Sequence, residues 1–307
     1  MRYLPVSHRP LADCLSLGPA LVDLTERSAV PVCTVSTFAG EAIVLGALQV
    51  AGRVLREPLP SIVARRTTSG TAAYFARGGL VVSLALPSLD CVFKDATPAT
   101  ILNRNLRLLL AGFAHASIPT AYFGREWLSH RHRPVALVGL DVSPSGVVLL
   151  EVFASLEGSF ALPRELVTDL EASCDRYRAK VPLGLAEASS LAPIEIAEHL
   201  LEGIAERMGS ELVEIAEPDP FIREEHGVVD GSSPLQTGSE LETPNAIPIG
   251  YLDRATDPTG RRFVGGDALG PVHAMGFGVA RATPRAPIVG ATWTDFASSM
   301  QKNRNTY

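Results

Sequence analysis

The segment Ala64-Arg65-Arg66-Thr67-Thr68-Ser69-Gly70-Thr71-Ala72-Ala73-Tyr74-Phe75 sets two adjacent guanidiniums at the close of an apolar run and follows them with small residues. Small side chains let backbone N–H groups approach a ligand, and paired guanidiniums can fork to phosphate or carboxylate oxygens. The pattern reads as an anion cradle; it reads equally as a solvated arginine pair at a strand end. A second candidate is Cys174, followed by Arg176, Arg178 and Lys180. A nucleophilic thiol needs a lowered pKa, which nearby cations supply. Cys174 also falls on a helical stripe with Leu166 and Leu170, the place of a buried, inert thiol.

Other constellations carry less. His130-Arg131-His132 would point two imidazoles to one side of a strand, but no Asp, Glu or Cys at suitable spacing completes a ligand set, so no metal site is expected. His115, His199 and His273 stand without a partner in sequence and receive no role. Glu151 is an acid amid Val147-Val148-Leu149-Leu150 and Val152-Phe153, facing either solvent or the site.

Short apolar runs bounded by Gly or Pro must position these groups. Residues 30–36, 42–50, 61–66, 80–86, 134–142 and 146–154 read as strands, the last two joined as a hairpin through Ser143-Pro144-Ser145. Three helices are expected. One is capped by Thr97, with Leu102, Leu106, Leu109, Leu110 and Phe113 at helical spacing. Another opens at Pro163 and carries Leu166, Val167, Leu170, Cys174 and Tyr177. The third opens at Pro193, buries Ala197, Leu200, Leu201, Ile204 and Met208, and ends at Gly209. Residues 216–245 are acidic and rich in Pro, Gly and Ser, a connector to a small C-terminal unit at 246–307.

The 307 residues are 46% hydrophobic and 20% charged, with a formal net charge of −6, which gives no general attraction for nucleic acid or an anionic membrane. Only Lys94, Lys180 and Lys302 stand against 24 arginines, so any lysine chemistry has three candidates. Four scattered cysteines without a CxxC argue against a zinc knuckle or disulfide scaffold. Pro5, Pro10 and Asp13 interrupt the place of a secretory apolar core. The expectation is a cytoplasmic protein.

RRTTSGTAAYF resembles the Arg-Arg-x-Ser-Gly-Gly-Gly-Ala-Val-Tyr-His signature of the lipoate and octanoate transferases and ligases, which are related to biotin protein ligases. The order of other features is similar to that family over residues 11–215. AIVLGALQ precedes the motif; Phe123-Gly124-Arg125-Glu126-Trp127 stands where the family has Gly-Arg-Asn-Asp, RPVALVGLD where it has Gly-Arg-Lys-x-x-Gly-Ser-Ala, and VVLLEVFASL where it has a His-Gly-Thr-Leu-Leu strand. VPLGLAEASSL and the Pro193 helix follow in the family's order, and 246–270 resemble its accessory domain. The resemblance implies a central mixed β-sheet flanked by helices, an α/β (α+β) fold, with a C-terminal accessory unit. It implies a carboxylic acid such as lipoate or octanoate as substrate, ATP as co-substrate, and a carrier-protein domain as acceptor. Arg65, Arg66, Ser69, Gly70, Thr71, Tyr74, Arg125, Arg133 and Gly139 are the implied substrate or anion contacts, in a pocket between the 65–74 loop and the 134–154 hairpin.

Departures from the pattern bear on chemistry. The family ligases use a lysine that stabilises developing charge; registering on Gly139 puts Ala136 there. Thr71 and Ala72 replace two glycines, and Phe75 a histidine. Three readings follow: a divergent acyl ligase in which Arg125 or Arg133 replaces the lost cation, a thiol transferase using Cys174 with Lys180 nearby, or a catalytically silent relative that binds a small anionic ligand, a carrier domain or an enzyme partner.

Overall fold

The computed structural model describes residues 1–46, 54–56, 62–68, 70–97, 100–124, 126–143, 145–172, 177, 179–216 and 228–230. The chain opens with β1 (Arg2–His8) and α1 (Leu11–Ser28), continues through β2 (Val32–Phe38), β3 (Ala42–Leu45), β4 (Ile62–Arg65), β5 (Ala73–Phe75) and β6 (Gly79–Leu86), and reaches α2 (Ile101–His115). It then builds β7 (Ala121–Tyr122), β8 (Trp127–His130), β9 (Arg133–Val142) and β10 (Val148–Ser155). Short α3 (Asp169–Ala172) and α4 (Leu185–Ala188) precede α5 (Pro193–Met208), β11 (Val213–Glu214) and β12 (Val228–Asp230).

These strands form two mixed sheets. The larger runs β11-β1-β2-β6-β10-β9-β8-β7, the smaller β12-β4-β3-β5. The expected hairpin is present: β9 and β10 are antiparallel, Val148 opposite Val142 and Glu151 opposite Gly139. Strand alternation then divides the side chains. Val148, Leu150, Val152 and Ala154 of β10, with Ala136, Val138 and Leu140 of β9, join the core under α2 and α5. Leu137 and Phe153 turn the other way, into a core shared with α1 and the smaller sheet. A fully buried Leu or Ile in either layer contributes about 1.5–3 kcal/mol of transfer free energy.

The Pro193 helix ends as expected, with Gly209 left-handed at φ 62°. The expected cap at Thr97 is displaced: α2 begins at Ile101 with Thr100 as its N-cap, and the Thr100 N–H donates to the Thr97 carbonyl. No continuous helix follows Pro163. A 3-10 turn spans Arg164–Leu166, Val167 is extended at φ −107°, and α3 starts afresh. Pairing overrides the helical spacing there: Arg56 N–H donates to Leu166 O, Thr168 N–H to Val54 O, and Val167 bridges Leu55. Helix α1, which carries Pro19 inside it, was not expected.

Within the expected connector, Val228–Asp230 pairs antiparallel with β4. The expected C-terminal unit at 246–307 lies outside the described residues. Among the described residues, no helix is long and apolar enough to cross a membrane.

Candidate active site

Arg66 leaves β4 and turns inward. Its side chain is 1% exposed, its Nη2 donates to the Thr71 carbonyl at 2.8 Å, and its Cζ sits 4.9 Å from the centre of the Phe153 ring. Gly70 makes this possible. At φ +109° it occupies a conformation that L side chains avoid, and a Cβ there would lie 2.6 Å from Arg66 Nη2 and 2.7 Å from the Val138 carbonyl. The space between the motif loop and the hairpin is thus occupied by the chain's own guanidinium.

Its counter-charge is Glu151, which the alternation of β10 aims toward the same layer. Glu151 is fully buried; Thr68 Oγ1 donates to its Oε2 at 2.5 Å and Ser83 Oγ to its Oε1 at 3.0 Å. Burial raises its carboxyl above the ordinary range, opposed by the Thr68 hydroxyl, the charge of Arg66 and the Ser83 hydroxyl. Arg66 in turn is drawn down to about 10 by desolvation, against the carboxylates of Glu151 and Glu126. The acid in VVLLEVF and the serine in LVVSLAL each interrupt an apolar strand; that interruption is the sequence signal of a buried polar pair.

The other expected contacts are distributed around this cluster. Arg65 Nη1 donates to Gly46 O at 3.1 Å. Tyr74, in β5, donates its hydroxyl to Glu41 Oε1 at 2.7 Å. Gly139 lies opposite Glu151 in β9. Arg133 donates through Nε to Val181 O at 2.9 Å and through Nη2 to Pro182 O at 3.3 Å, and pairs with Glu187 at 3.3 Å. Ala136 is fully buried in the apolar core beneath α2 and α5, away from Arg66. Ser69, Arg125 and Cys174 lie outside the described residues.

A cavity of about 360 Å³ borders the motif loop. Thr71 and Ala72 form one wall; Ala161, Leu162, Val167, Ala172 and Tyr177 give it apolar surface, and Arg164, Glu171 and Lys180 supply charge. Among the described residues its second wall is therefore the 161–180 segment rather than the 134–154 hairpin. Tyr177 is held edge-on by Trp127 and Phe160, each 5.7 Å away between ring centres, and it borders both the cavity and the apolar layer that contains Phe153. Lys180 is held by its neighbours: Arg133 grips the next two carbonyls, and Leu183 N–H donates to Pro134 O. Arg164 and Tyr177 were not expected as site residues; only the fold brings them beside Thr71.

Cys14 and Cys33 offer no alternative nucleophile. Burial pushes both thiols up to about 12, the opposite of activation. His130 and His132 do not share a strand face. His130 ends β8 with Nδ1 2.8 Å from Pro119 O, while Arg131 and His132 form a two-residue turn at φ 48° and 67°.

No family model matches the sequence, and comparison with curated proteins finds no match. Solved structures do match. A bi-partite lipoate protein ligase of Thermoplasma acidophilum, from an archaeal lipoylation system with its E2 lipoyl domain, is similar at TM-score 0.56 and 14% identity over 73% of this chain and 90% of that one. A lipoate-protein ligase A bound with ATP is similar at TM-score 0.53 and 14% identity, covering 73% and 92%. A T. acidophilum protein with bound lipoic acid gives TM-score 0.53 and 15% identity, covering 73% and 91%. With its two mixed sheets, the helices packed on them and the loop that follows Arg66, this chain has the lipoate-protein ligase fold.

Proposed function

We propose that the chain is a divergent lipoate-ligase-like acyl or cofactor transferase, taking a carboxylic acid with an apolar tail and delivering it to a carrier-protein domain. The observation that carries this reading is the cavity beside Thr71 and Ala72. Its volume falls at the small end of ligand sites, about 300–1,000 Å³, and it joins an apolar lining to two cations, Arg164 and Lys180, and one carboxylate, Glu171. Leu162, Val167 and Ala172 take the tail; Lys180 and Arg164 take the carboxylate. Arg66 and Glu151 hold the Thr71 wall in place and do not touch the substrate. Lys180 is the cation that stands in for the lysine absent at Ala136, from a different part of the chain.

Of the motif's two arginines, Arg66 is buried on Thr71 O, while Arg65 is half-buried and gives one N–H to Gly46 O. Joining a free acid to the carrier requires an activated carboxyl, so ATP enters as co-substrate: the acid displaces pyrophosphate to give the acyl adenylate, and the carrier's nucleophile then displaces AMP. Octanoate and lipoate are the acids of choice for testing. Titration calorimetry with each is expected to give binding that Lys180→Ala weakens; absence of heat from both acids overturns the substrate assignment.

A second reading, a catalytically silent binder, is favoured by the apolar surroundings of Ala136. Incubation with ATP, acid and a lipoyl-type carrier domain, followed by intact-mass measurement, separates the two. A stable mass gain on the carrier supports transfer, and its loss in Cys174→Ala assigns a thiol route; acid binding without mass gain supports the binder.

A further inference from the structure

Away from the cavity, α2 and α5 cross at very short range. A Cβ on Gly112 would lie 2.7 Å from Leu200 O, and one on Gly203 would lie 2.6 Å from His115 Cβ. This approach brings together two histidines that are 84 positions apart in sequence, His115 at the end of α2 and His199 on α5, with ring centres 5.5 Å apart. Between them stands Glu202, at i+3 from His199 and therefore on its face of α5. Glu202 Oε2 lies 3.4 Å from His115 Nε2 and 3.3 Å from His199 Nδ1.

We infer that His115, His199 and Glu202 form a binding site for one divalent transition-metal ion of the zinc class. The ligand atoms lie within 4.8 Å of one another. Zinc bonds to imidazole nitrogen and carboxylate oxygen of about 2.0–2.1 Å set tetrahedral edges of about 3.3–3.4 Å, the spacing of the carboxylate oxygen from each ring nitrogen. His199 Nδ1 is shielded from solvent and makes no hydrogen bond, although it faces that oxygen. On the other side of the His115 ring, Nδ1 faces Glu206 Oε2 at 3.4 Å. An outer carboxylate on the second ring nitrogen is the usual means of fixing a metal-binding imidazole.

The set supplies three protein ligands and leaves the fourth position to water. Because one ligand comes from α2 and two from α5, the ion fastens the C-terminal end of one helix to the middle of the other. Nothing in this site touches the cavity beside Thr71, so it stands independently of the acyl-transfer reading.

The test is Zn²⁺ titration of the full chain by calorimetry, with Co²⁺ as an optical probe. The expected result is a site at which Co²⁺ gives the intense visible absorption of tetrahedral coordination, Zn²⁺ displaces it, and bound Zn²⁺ raises Tm. His199→Ala and, separately, His115→Ala are expected to weaken Zn²⁺ by at least about a hundred-fold, and Glu206→Gln by about ten-fold. Circular dichroism checks that each variant folds, and Glu202→Gln serves where a histidine variant does not. Absence of the tetrahedral cobalt spectrum, or zinc affinity unchanged in the folded variants, overturns the proposal.

Discussion

Two charged regions flank the motif loop, and they handle charge in opposite ways. The Arg66 and Glu151 cluster is buried among the described residues, its side chains held by Thr71 O, Thr68, Ser83 and the Phe153 face. The cavity rim, by contrast, keeps Lys180 and Arg164 exposed and rests them on a segment pinned by backbone contacts. Buried charge must be matched by fixed partners because desolvation otherwise removes it, whereas exposed charge remains available to a substrate. An arginine pair in a motif therefore need not be the pair that meets the ligand.

The largest expected effect lies in the buried region. Glu151→Ala leaves the Arg66 guanidinium buried beside a void, and the expected loss is about 3–5 kcal/mol by urea denaturation. A loss within about 1 kcal/mol would mean that water reaches the cluster and that Arg66 is open to an anion after all.

The pH dependence sharpens the same contrast. Folding raises the Glu151 carboxyl above its unfolded value of about 4.3, so the folded state holds that proton more tightly. The resulting contribution is present in full below the unfolded value and is lost as pH rises through the folded one. Glu151→Gln, which keeps the shape without the titration, is expected to remove this part of the fall; parallel stability curves for the two proteins between pH 4 and pH 8 would contradict it.

At the cavity, Lys180→Ala is expected to leave stability within about 0.5 kcal/mol and to weaken octanoate binding by about ten-fold, the scale of one charged contact. Arg133→Ala acts through the backbone at Val181 and Pro182, so a smaller loss, about two- to five-fold, is expected in the same calorimetric titration. Should Arg133→Ala weaken binding more than Lys180→Ala, Arg133 itself meets the acid and the division between the two regions fails.

Much of the architecture is legible in the residues. The hairpin at 134–154 follows from two near-continuous apolar runs around Ser143-Pro144-Ser145, and α5 from Pro193, its apolar stripe and Gly209. Helix α1 is less legible because Pro19 stands inside it and Pro5 and Pro10 precede it, so local punctuation masks a segment that tertiary packing makes helical. The expected helix after Pro163 fails for the converse reason: its apolar spacing is real, but Val54, Leu55 and Arg56 take its backbone groups into pairing.

The site divides in the same way. Sequence alone determines that residues 65–75 make a special loop, because adjacent arginines and a run of small residues are local properties. Which way Arg66 points depends on Glu151, 85 positions later, and on the strand register that turns both into one layer. Likewise, Lys180 and Thr71 come to line one cavity, and His115 approaches His199, only through packing of distant segments. Composition and periodicity are read along the chain, but desolvation, charge pairing and ligand geometry act across space, and the fold alone sets those distances.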